Sequence, residues 1–275
     1  MADDFLKDQV YTPPINSLKT KGTAKLLNLF FIIDTSGSMR SEGRLDAVND
    51  AFKKMVPALK KIQEESMSEF ELKIAVMTFD EEAKWVVEPT PILEYDHVSF
   101  NCSEWVTYFS NAFKTFGDKL SRKHFMAHTG KIAQPYIMLM TDGEPTADDD
   151  YNQELDALLE NGWFKASQRF AVLIGRDTIN SKAAREAVSR FVSNPVEGII
   201  DAADAEAIVS EVQAKTIHTI QIATKHGVPT ADVEDDTTQG ADLYGGTNEP
   251  AGFGDDFAGF GGFDGFDGFD DGSFI

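Results

Sequence analysis

The sequence predicts an α/β fold, in which a doubly wound, mainly parallel β-sheet is covered by helices. Three observations predict it. Short apolar segments rich in β-branched and aromatic residues recur along the chain and indicate buried strands. Between them lie segments with apolar residues at intervals of three and four, which are typical of amphipathic helices. Strands that alternate with helices in this way form βαβ units, and these build parallel sheets.

The first strand is predicted at residues 26–33, which are apolar except for Asn28. The next helix begins near Leu45, and Pro57 inside it is expected to produce a kink. Further strands are predicted at residues 71–79, 84–87, 136–140, 170–174 and, briefly, 199–200. Further helices are predicted at residues 106–120, 152–161, 181–193 (with Asn180 or Ser181 as N-cap) and 204–223.

Composition divides the chain into three parts. Residues 1–24 are predicted to be an irregular lead-in, and residues 25–227 one folded domain. Residues 228–275 form an acidic tail rich in Phe, Asp and Gly, with no Lys or Arg and a repeat of period three at 263–270. Because that period matches neither a helix nor a strand and glycine is frequent, we expect the tail to be disordered.

The net charge of −21 narrows the classes of binding partner that are expected. Twelve acidic residues lie in 232–275, and the rest of the chain sums to −9. Without a basic excess, binding to nucleic acid or to anionic lipid is not expected. The one cysteine, Cys102, excludes an intramolecular disulfide, and residues 1–5 lack the features of a signal peptide. No apolar run approaches 18 residues, so we expect a cytoplasmic protein that does not enter the membrane.

The segment Asp34-Thr35-Ser36-Gly37-Ser38 follows the first strand and offers one carboxylate and two hydroxyls. Such hard oxygen ligands suit Mg²⁺, but they are too few to complete a site. Asp142, in Thr141-Asp142-Gly143, follows a later central strand, and like ends of parallel strands meet at one edge of a sheet. A hydrogen-bonded turn that caps the next helix is the alternative explanation of the serines.

The Asp-x-Ser-x-Ser pattern resembles the metal-ion-dependent adhesion site (MIDAS) of von Willebrand factor A (vWA) domains, and the resemblance covers roughly residues 25–225. It implies a Rossmann-like sheet of six strands and a site for Mg²⁺, with Mn²⁺ or Ca²⁺ as alternatives. In that family two serines and a threonine bind the metal directly, and two aspartates act mostly through water. The matching residues are Asp34, Ser36, Ser38, Thr107 and Asp142. Ser103 is the alternative to Thr107, because the glycine-rich segment expected before the threonine is absent.

Three neutral hydroxyls would leave the ion electrophilic, with a coordination position for a Glu or Asp of a partner protein. No nucleophile–base pair is evident in the sequence, so we expect a non-enzymatic binding protein. A metal-dependent hydrolase is the weakest alternative. The Phe/Asp/Gly tail is expected to bind a second partner, to solubilise the chain or to occupy its own metal site.

A finer resemblance is to bacterial intracellular proteins of the TerY and YegL type, through residues 46–49, 55–59 and 78–80. It implies a role in tellurite resistance, stress response or defence, beside a protein kinase and a phosphatase. The alternative is an accessory subunit of a separate AAA+ ATPase of the chelatase or chaperone-like kind. This chain contains no Gly-x-x-x-x-Gly-Lys-Ser/Thr motif of its own.

Two further patterns are explained by ordinary structural roles. His124 and His128 have the i, i+4 spacing of a zinc site, but they lack the accompanying glutamate, so surface or capping roles are expected. The acidic run Asp148–Asp150 is interpreted as the start of a helix, where the macrodipole favours negative charge.

Overall fold

The computed structural model describes residues 24–66, 69–103, 106–226, 230, 231 and 233. Its centre is a six-stranded sheet in the order β3-β2-β1-β4-β5-β6. The strands are β1 (Lys25–Asp34), β2 (Phe70–Phe79), β3 (Ala83–Pro91), β4 (Tyr136–Thr141), β5 (Gln168–Ile174) and β6 (Ile199–Ala202). All neighbours are parallel except β2 and β3, which form an antiparallel edge pair. The predicted α/β fold class, with six mainly parallel strands, is confirmed.

Helices fill the connections between the strands, apart from the short turn between β2 and β3. They are α1 (Arg44–Glu65), α2 (Phe109–Lys119), α3 (Asn152–Glu160), α4 (Gly162–Lys165), α5 (Arg176–Asn180), α6 (Lys182–Ser189) and α7 (Ala205–His226). The predicted N-cap Ser181 is confirmed, because its hydroxyl accepts a hydrogen bond from Ala184 N at 3.1 Å. The helix predicted from residue 106 begins only at Phe109, and Val106 is 45 % exposed. None of the described helices is long and apolar enough to cross a membrane.

The two faces of the sheet bury separate apolar cores. From β1, one face receives Leu27, Leu29, Phe31 and Ile33, which pack with residues of α1 and α7. The opposite face receives Leu26, Phe30 and Ile32, which pack with residues of α2, α3 and α6. Successive side chains of a strand point to opposite faces, so a central strand covered on both sides must be apolar throughout. At the exception, Asn28, the amide nitrogen donates to Phe125 O at 3.2 Å, whereas the amide oxygen has no hydrogen-bond partner among the described residues.

The strand order reverses between β1 and β4. From β1 the chain first builds outward to β2 and β3, and then returns to place β4 on the other side of β1. Ile33 pairs with Met140 in this register, so the next residues, Asp34 and Thr141, end neighbouring strands together. Ligands of open α/β sheets bind beyond the carboxyl ends of the strands at such a switch point. The topology thus places the two predicted aspartate loops at the same edge.

The last described residues lie near the end of the sheet at which β1 begins, opposite the end that holds Asp34. Ala231 is buried, and its N–H donates to Ile132 O at 2.9 Å. Ala133 N in turn donates to Leu26 O near the beginning of β1. A strand rises about 3.3 Å per residue, so Asp34 lies on the order of 26 Å along β1 from Leu26. The predicted lead-in (except Ala24) and most of the predicted tail lie outside the described residues.

Candidate metal centre

The carboxylate of Asp34 is the buried base of the candidate site. Asp34 is the last residue of β1 and is fully buried. Ser36 N donates to its Oδ1 at 2.9 Å, and Thr141 Oγ1 donates to its Oδ2 at 2.6 Å. The Thr141 contact follows from the β1–β4 register, and it locks the two strand ends together. The position of this carboxylate is therefore fixed by both neighbouring loops.

The two serines of the metal loop meet the second aspartate. Ser36 Oγ and Ser38 Oγ lie 3.1 Å apart, and Ser38 Oγ donates to Asp142 Oδ1 at 2.7 Å. A hydroxyl has one hydrogen, and Ser38 donates it to Asp142, so Ser38 can only accept in a hydrogen bond with Ser36. Oxygen lone pairs on both serines consequently remain for a cation. The structure brings together four of the predicted site residues: Asp34, Ser36, Ser38 and Asp142.

These separations suit a small, hard cation. Adjacent ligand atoms of a regular octahedron with bonds of 2.0–2.1 Å are about 2.8–3.0 Å apart. The Ser36–Ser38 oxygen distance of 3.1 Å is close to that value. The described residues contain no group of three or more His, Cys, Asp or Glu side chains that could hold a metal. Only two carboxylates are present here, so a cation bound at this position would need the hydroxyls as ligands.

Electrostatics also favour a cation at this position. The pKa of Asp34 is raised to about 6: burial is the largest cause and the nearby charge of Asp142 adds to it, while the hydrogen bonds from Ser36 and Thr141 oppose the increase. An ionised carboxylate is thus held in an unfavourable environment at neutral pH. A divalent cation would remove that penalty, because it stabilises the ionised form.

The two candidates for the third hydroxyl ligand both lie beside this loop pair. Thr107 is buried, and its Oγ1 would be 3.8 Å from a Cβ placed on Gly143. Thr146 N donates to Thr107 O at 3.0 Å, and Thr107 N donates to Thr146 Oγ1 at 3.2 Å. Ser103 N donates to Thr35 O at 2.7 Å, so Ser103 also borders the metal loop. Thr107 therefore stays our prediction, with Ser103 as the alternative.

Asp149 positions the Thr107 segment from a distant loop. Its Oδ2 accepts from Phe109 N at 2.6 Å, and its Oδ1 accepts from Ser110 N at 3.3 Å. These amides are unsatisfied donors at the N-terminus of α2, so Asp149 acts as a cap although it does not precede the helix in sequence. The acidic run directly precedes α3, as predicted, and Asp149 in addition caps α2.

One arginine, which the sequence analysis missed, reaches the site from the start of α1. Arg44 Nη1 donates to Asp142 Oδ2 at 2.6 Å, and its side chain is 13 % exposed. The guanidinium lies against Gly175, where a Cβ would approach its Cζ to 2.9 Å. Thr178 Oγ1 donates to the main-chain oxygen of Asp142. Sequence offered no signal for Arg44, since 98 residues separate it from Asp142.

A polar cavity of about 250 Å³ opens beside the metal loop. Its lining includes Arg40, Asp46, Asn101 and Cys102.

The two predicted histidines, His124 and His128, are remote from the metal loop. His128 Nε2 lies 3.3 Å from Ala24 O at the beginning of β1, and the segment that contains both histidines is not helical. The expectation that they do not share a helical zinc site is consistent with this geometry.

Comparison with known proteins identifies the fold. Residues 29–144 match the profile of the von Willebrand factor type A domain. No curated protein matches the chain by sequence. Among solved structures, the pilus adhesin SpaC from Lactobacillus rhamnosus GG is similar, with 14 % identity and a TM-score of 0.53 over 70 % of this chain and 31 % of that one. This chain thus spans about a third of that adhesin.

Two further structures share the fold. The vWF domain of the pilus tip protein Mfa5 from Porphyromonas gingivalis has 13 % identity and a TM-score of 0.52, over 74 % of this chain and 97 % of that domain. Proximal thread matrix protein 1 of the mussel byssus, described with a zinc-occupied MIDAS motif, has 15 % identity and a TM-score of 0.50, over 71 % and 48 %. At such identities the likeness concerns the fold alone. Together with the profile match over residues 29–144 and the sheet topology, it shows that the described residues adopt the fold of a von Willebrand factor type A domain.

Proposed function

We propose that this protein is a non-enzymatic adaptor that binds an acidic residue of a partner protein in a metal-dependent way. The observation that carries the proposal is the position of Ser38 Oγ, which lies 3.1 Å from Ser36 Oγ and 2.7 Å from Asp142 Oδ1, beside the buried Asp34. A bound divalent ion would supply an electrophilic coordination position that a partner's carboxylate could take. vWA domains are in general protein-interaction modules, which fits this use of the site.

The aspartates and the serines of the site would have different roles in binding the ion. Asp34 and Asp142 provide the negative charge that retains the cation, and both are buried. Ser36 and Ser38 present neutral oxygens, which leave most of the ion's charge available to a ligand. Ser38 is exposed, whereas Ser36 is buried, so the open side of the site faces solvent at Ser38. The cavity beside the loop offers space for side chains that flank the partner's carboxylate.

We propose Mg²⁺ as the resident ion, because every candidate donor is an oxygen and the spacing suits a small octahedral cation. Mn²⁺ is the nearest alternative in size and ligand preference, and Ca²⁺ would require a larger and more flexible oxygen shell. Zinc occupies the corresponding motif in the mussel protein. The identity of the ion in this chain is therefore to be measured directly.

The acidic Phe/Asp/Gly tail is proposed as a second binding element. Seven phenylalanines follow Lys225, and regularly spaced weak anchors raise avidity for one partner. As a flexible coil, residues 232–275 would have a root-mean-square length of about 33–40 Å. The tail would then recruit a second protein in addition to the one that docks at the metal loop.

The cellular setting is proposed from the finer sequence resemblance alone. It would be a cytoplasmic stress-response, tellurite-resistance or defence system in bacteria, with a protein kinase and a phosphatase as partners. Co-purification separates this setting from its alternative: a kinase or phosphatase would support it, whereas a hexameric AAA+ ATPase would support the accessory-subunit role.

The test is capture of partners by the immobilised full-length protein in Mg²⁺ or in EDTA, with the variants Ser38→Ala and Ser41→Ala. Ser41 is an exposed serine of the same loop and serves as the matched control. We expect the same proteins to be retained by wild type and Ser41→Ala in Mg²⁺, and to be lost in EDTA and with Ser38→Ala. Equal retention by Ser38→Ala would contradict metal-dependent docking.

A further inference from the structure

The arginine beside the candidate metal site is unusual in its surroundings. Asp142 has both carboxylate oxygens engaged: Oδ1 accepts from Ser38, and Oδ2 accepts from Arg44. The Asp142 side chain is fully buried, and that of Arg44 is 13 % exposed, so the ion pair is little screened by solvent. Gly175 allows this placement, because any side chain there would meet the guanidinium. The arginine is thus built into the end of the sheet.

We propose that Arg44 tunes the metal site toward anion binding, by keeping Asp142 from direct coordination and by leaving the occupied site with net positive charge. This inference rests on the proposed function, since it assumes that a divalent ion binds at Ser36 and Ser38. Arg44 thus sets the balance between retention of the ion and attraction of a carboxylate ligand.

The first effect of Arg44 concerns charge. Asp34 and Asp142 carry one negative charge each, and a divalent ion would neutralise both. Arg44 adds a buried positive charge, so the occupied site is left with about one net positive charge instead of none. Repulsion from the guanidinium weakens binding of the metal, while attraction strengthens binding of an anionic ligand. Both effects act through the same buried contact with Asp142.

A second effect concerns geometry. The hydrogen bond from Arg44 occupies Asp142 Oδ2, while Oδ1 orients the hydroxyl of Ser38. The carboxylate therefore acts on the ion through Ser38, and its position is fixed before a metal binds. Glu42 also lies 3.6 Å from Arg44, but its side chain is 74 % exposed, so its effect is expected to be small.

The experiment compares Arg44→Met with Arg176→Met in the full-length protein. Arg176 is an exposed arginine at the start of α5, next to Gly175, and is the matched control. Calorimetry with Mn²⁺ alone gives the metal dissociation constant. Relaxation of the acetate methyl protons by protein-bound Mn²⁺ then gives the affinity of the loaded site for a carboxylate. Arg44→Gln keeps a hydrogen-bond donor for Asp142 and removes the charge, so it provides the same comparison should the methionine variant not fold.

We expect Arg44→Met or Arg44→Gln to bind Mn²⁺ at least about tenfold more tightly than wild type and Arg176→Met, and to bind acetate at least about threefold more weakly. Opposite changes in the two affinities distinguish tuning from structural damage, which would weaken both. Mn²⁺ affinities equal within about twofold in all variants would overturn the inference while leaving the proposed function intact. An absence of Mn²⁺ binding by wild type and variants alike would overturn both.

Discussion

The buried carboxyl of Asp34 gives the metal-free protein a specific dependence on pH. Its pKa is about 6 in the folded chain and 3.8 in a solvated one. A carboxyl with a raised pKa stabilises the fold in its protonated form, and this contribution is lost as the pH rises through the folded pKa. The full contribution, 2.2 pKa units, corresponds to about 3 kcal/mol. Between about pH 5 and pH 7.5 the loss works out at about 1.4 kcal/mol.

The measurement is urea unfolding in EDTA at these two pH values, followed by the fluorescence of the buried Trp85 and Trp163. Other groups also titrate in this range, so the informative quantity is the difference from Asp34→Asn, which cannot ionise at this position. We expect the wild type to lose about 1.4 kcal/mol more stability than Asp34→Asn between the two values. Equal losses in the two proteins would refute the claim that an unpaired charge is buried here.

Metal binding should reverse this dependence. A divalent ion binds the ionised carboxylate, so a proton on Asp34 competes with it. From the pKa of about 6, the apparent Mg²⁺ affinity should weaken about tenfold between pH 7.5 and pH 5. Calorimetric titrations at the two pH values check the ratio, and a ratio near one would show that Asp34 does not take part.

Three further predictions concern the residues that shape the site. Asp149→Ala should lower the free energy of unfolding by about 1–2 kcal/mol through loss of the α2 cap, and the exposed Asp150→Ala by less than about 0.5 kcal/mol; equal values in urea unfolding would contradict capping. Gly175→Ala should lower the free energy of unfolding by about 1–3 kcal/mol in the same urea assay, because the φ of Gly175 is +91° and the Arg44 guanidinium lies where a Cβ would go. An unchanged free energy of unfolding would contradict this packing. Thr107→Val should weaken Mn²⁺ binding at least about tenfold and Ser103→Ala less than about twofold; the reverse order in calorimetry would make Ser103 the third hydroxyl ligand.

The parts of the fold that local patterns specify could be predicted. The apolar run before Asp34 indicates a strand buried on both faces, and the structure gives each face its own core. Asp34, Ser36 and Ser38 are close in sequence, so their proximity needs only a turn. Asp142 could be added because parallel strands end at a common edge. The order of strands and helices along the chain is enough to predict that Asp142 lies near Asp34, without knowledge of tertiary contacts.

The supporting contacts could not be predicted, because they join loops that are far apart in sequence. Thr146 pairs with Thr107 across 39 residues, and Asp149 caps a helix that begins 40 residues earlier. An N-cap is normally sought just before a helix. The long sequence separation also explains why the helix was predicted from Val106, although α2 begins only at Phe109, where Asp149 caps it.

The most direct test of the metal site is a crystal structure of the full-length protein with Mn²⁺, with the ion located by its anomalous scattering. We expect one strong peak at the carboxyl ends of β1 and β4, bonded to Ser36 Oγ and Ser38 Oγ, with a third hydroxyl from Thr107 and no direct bond to Asp142. Such a peak would also decide between Thr107 and Ser103. No peak at saturating Mn²⁺, or a peak away from the two serines, would contradict the account.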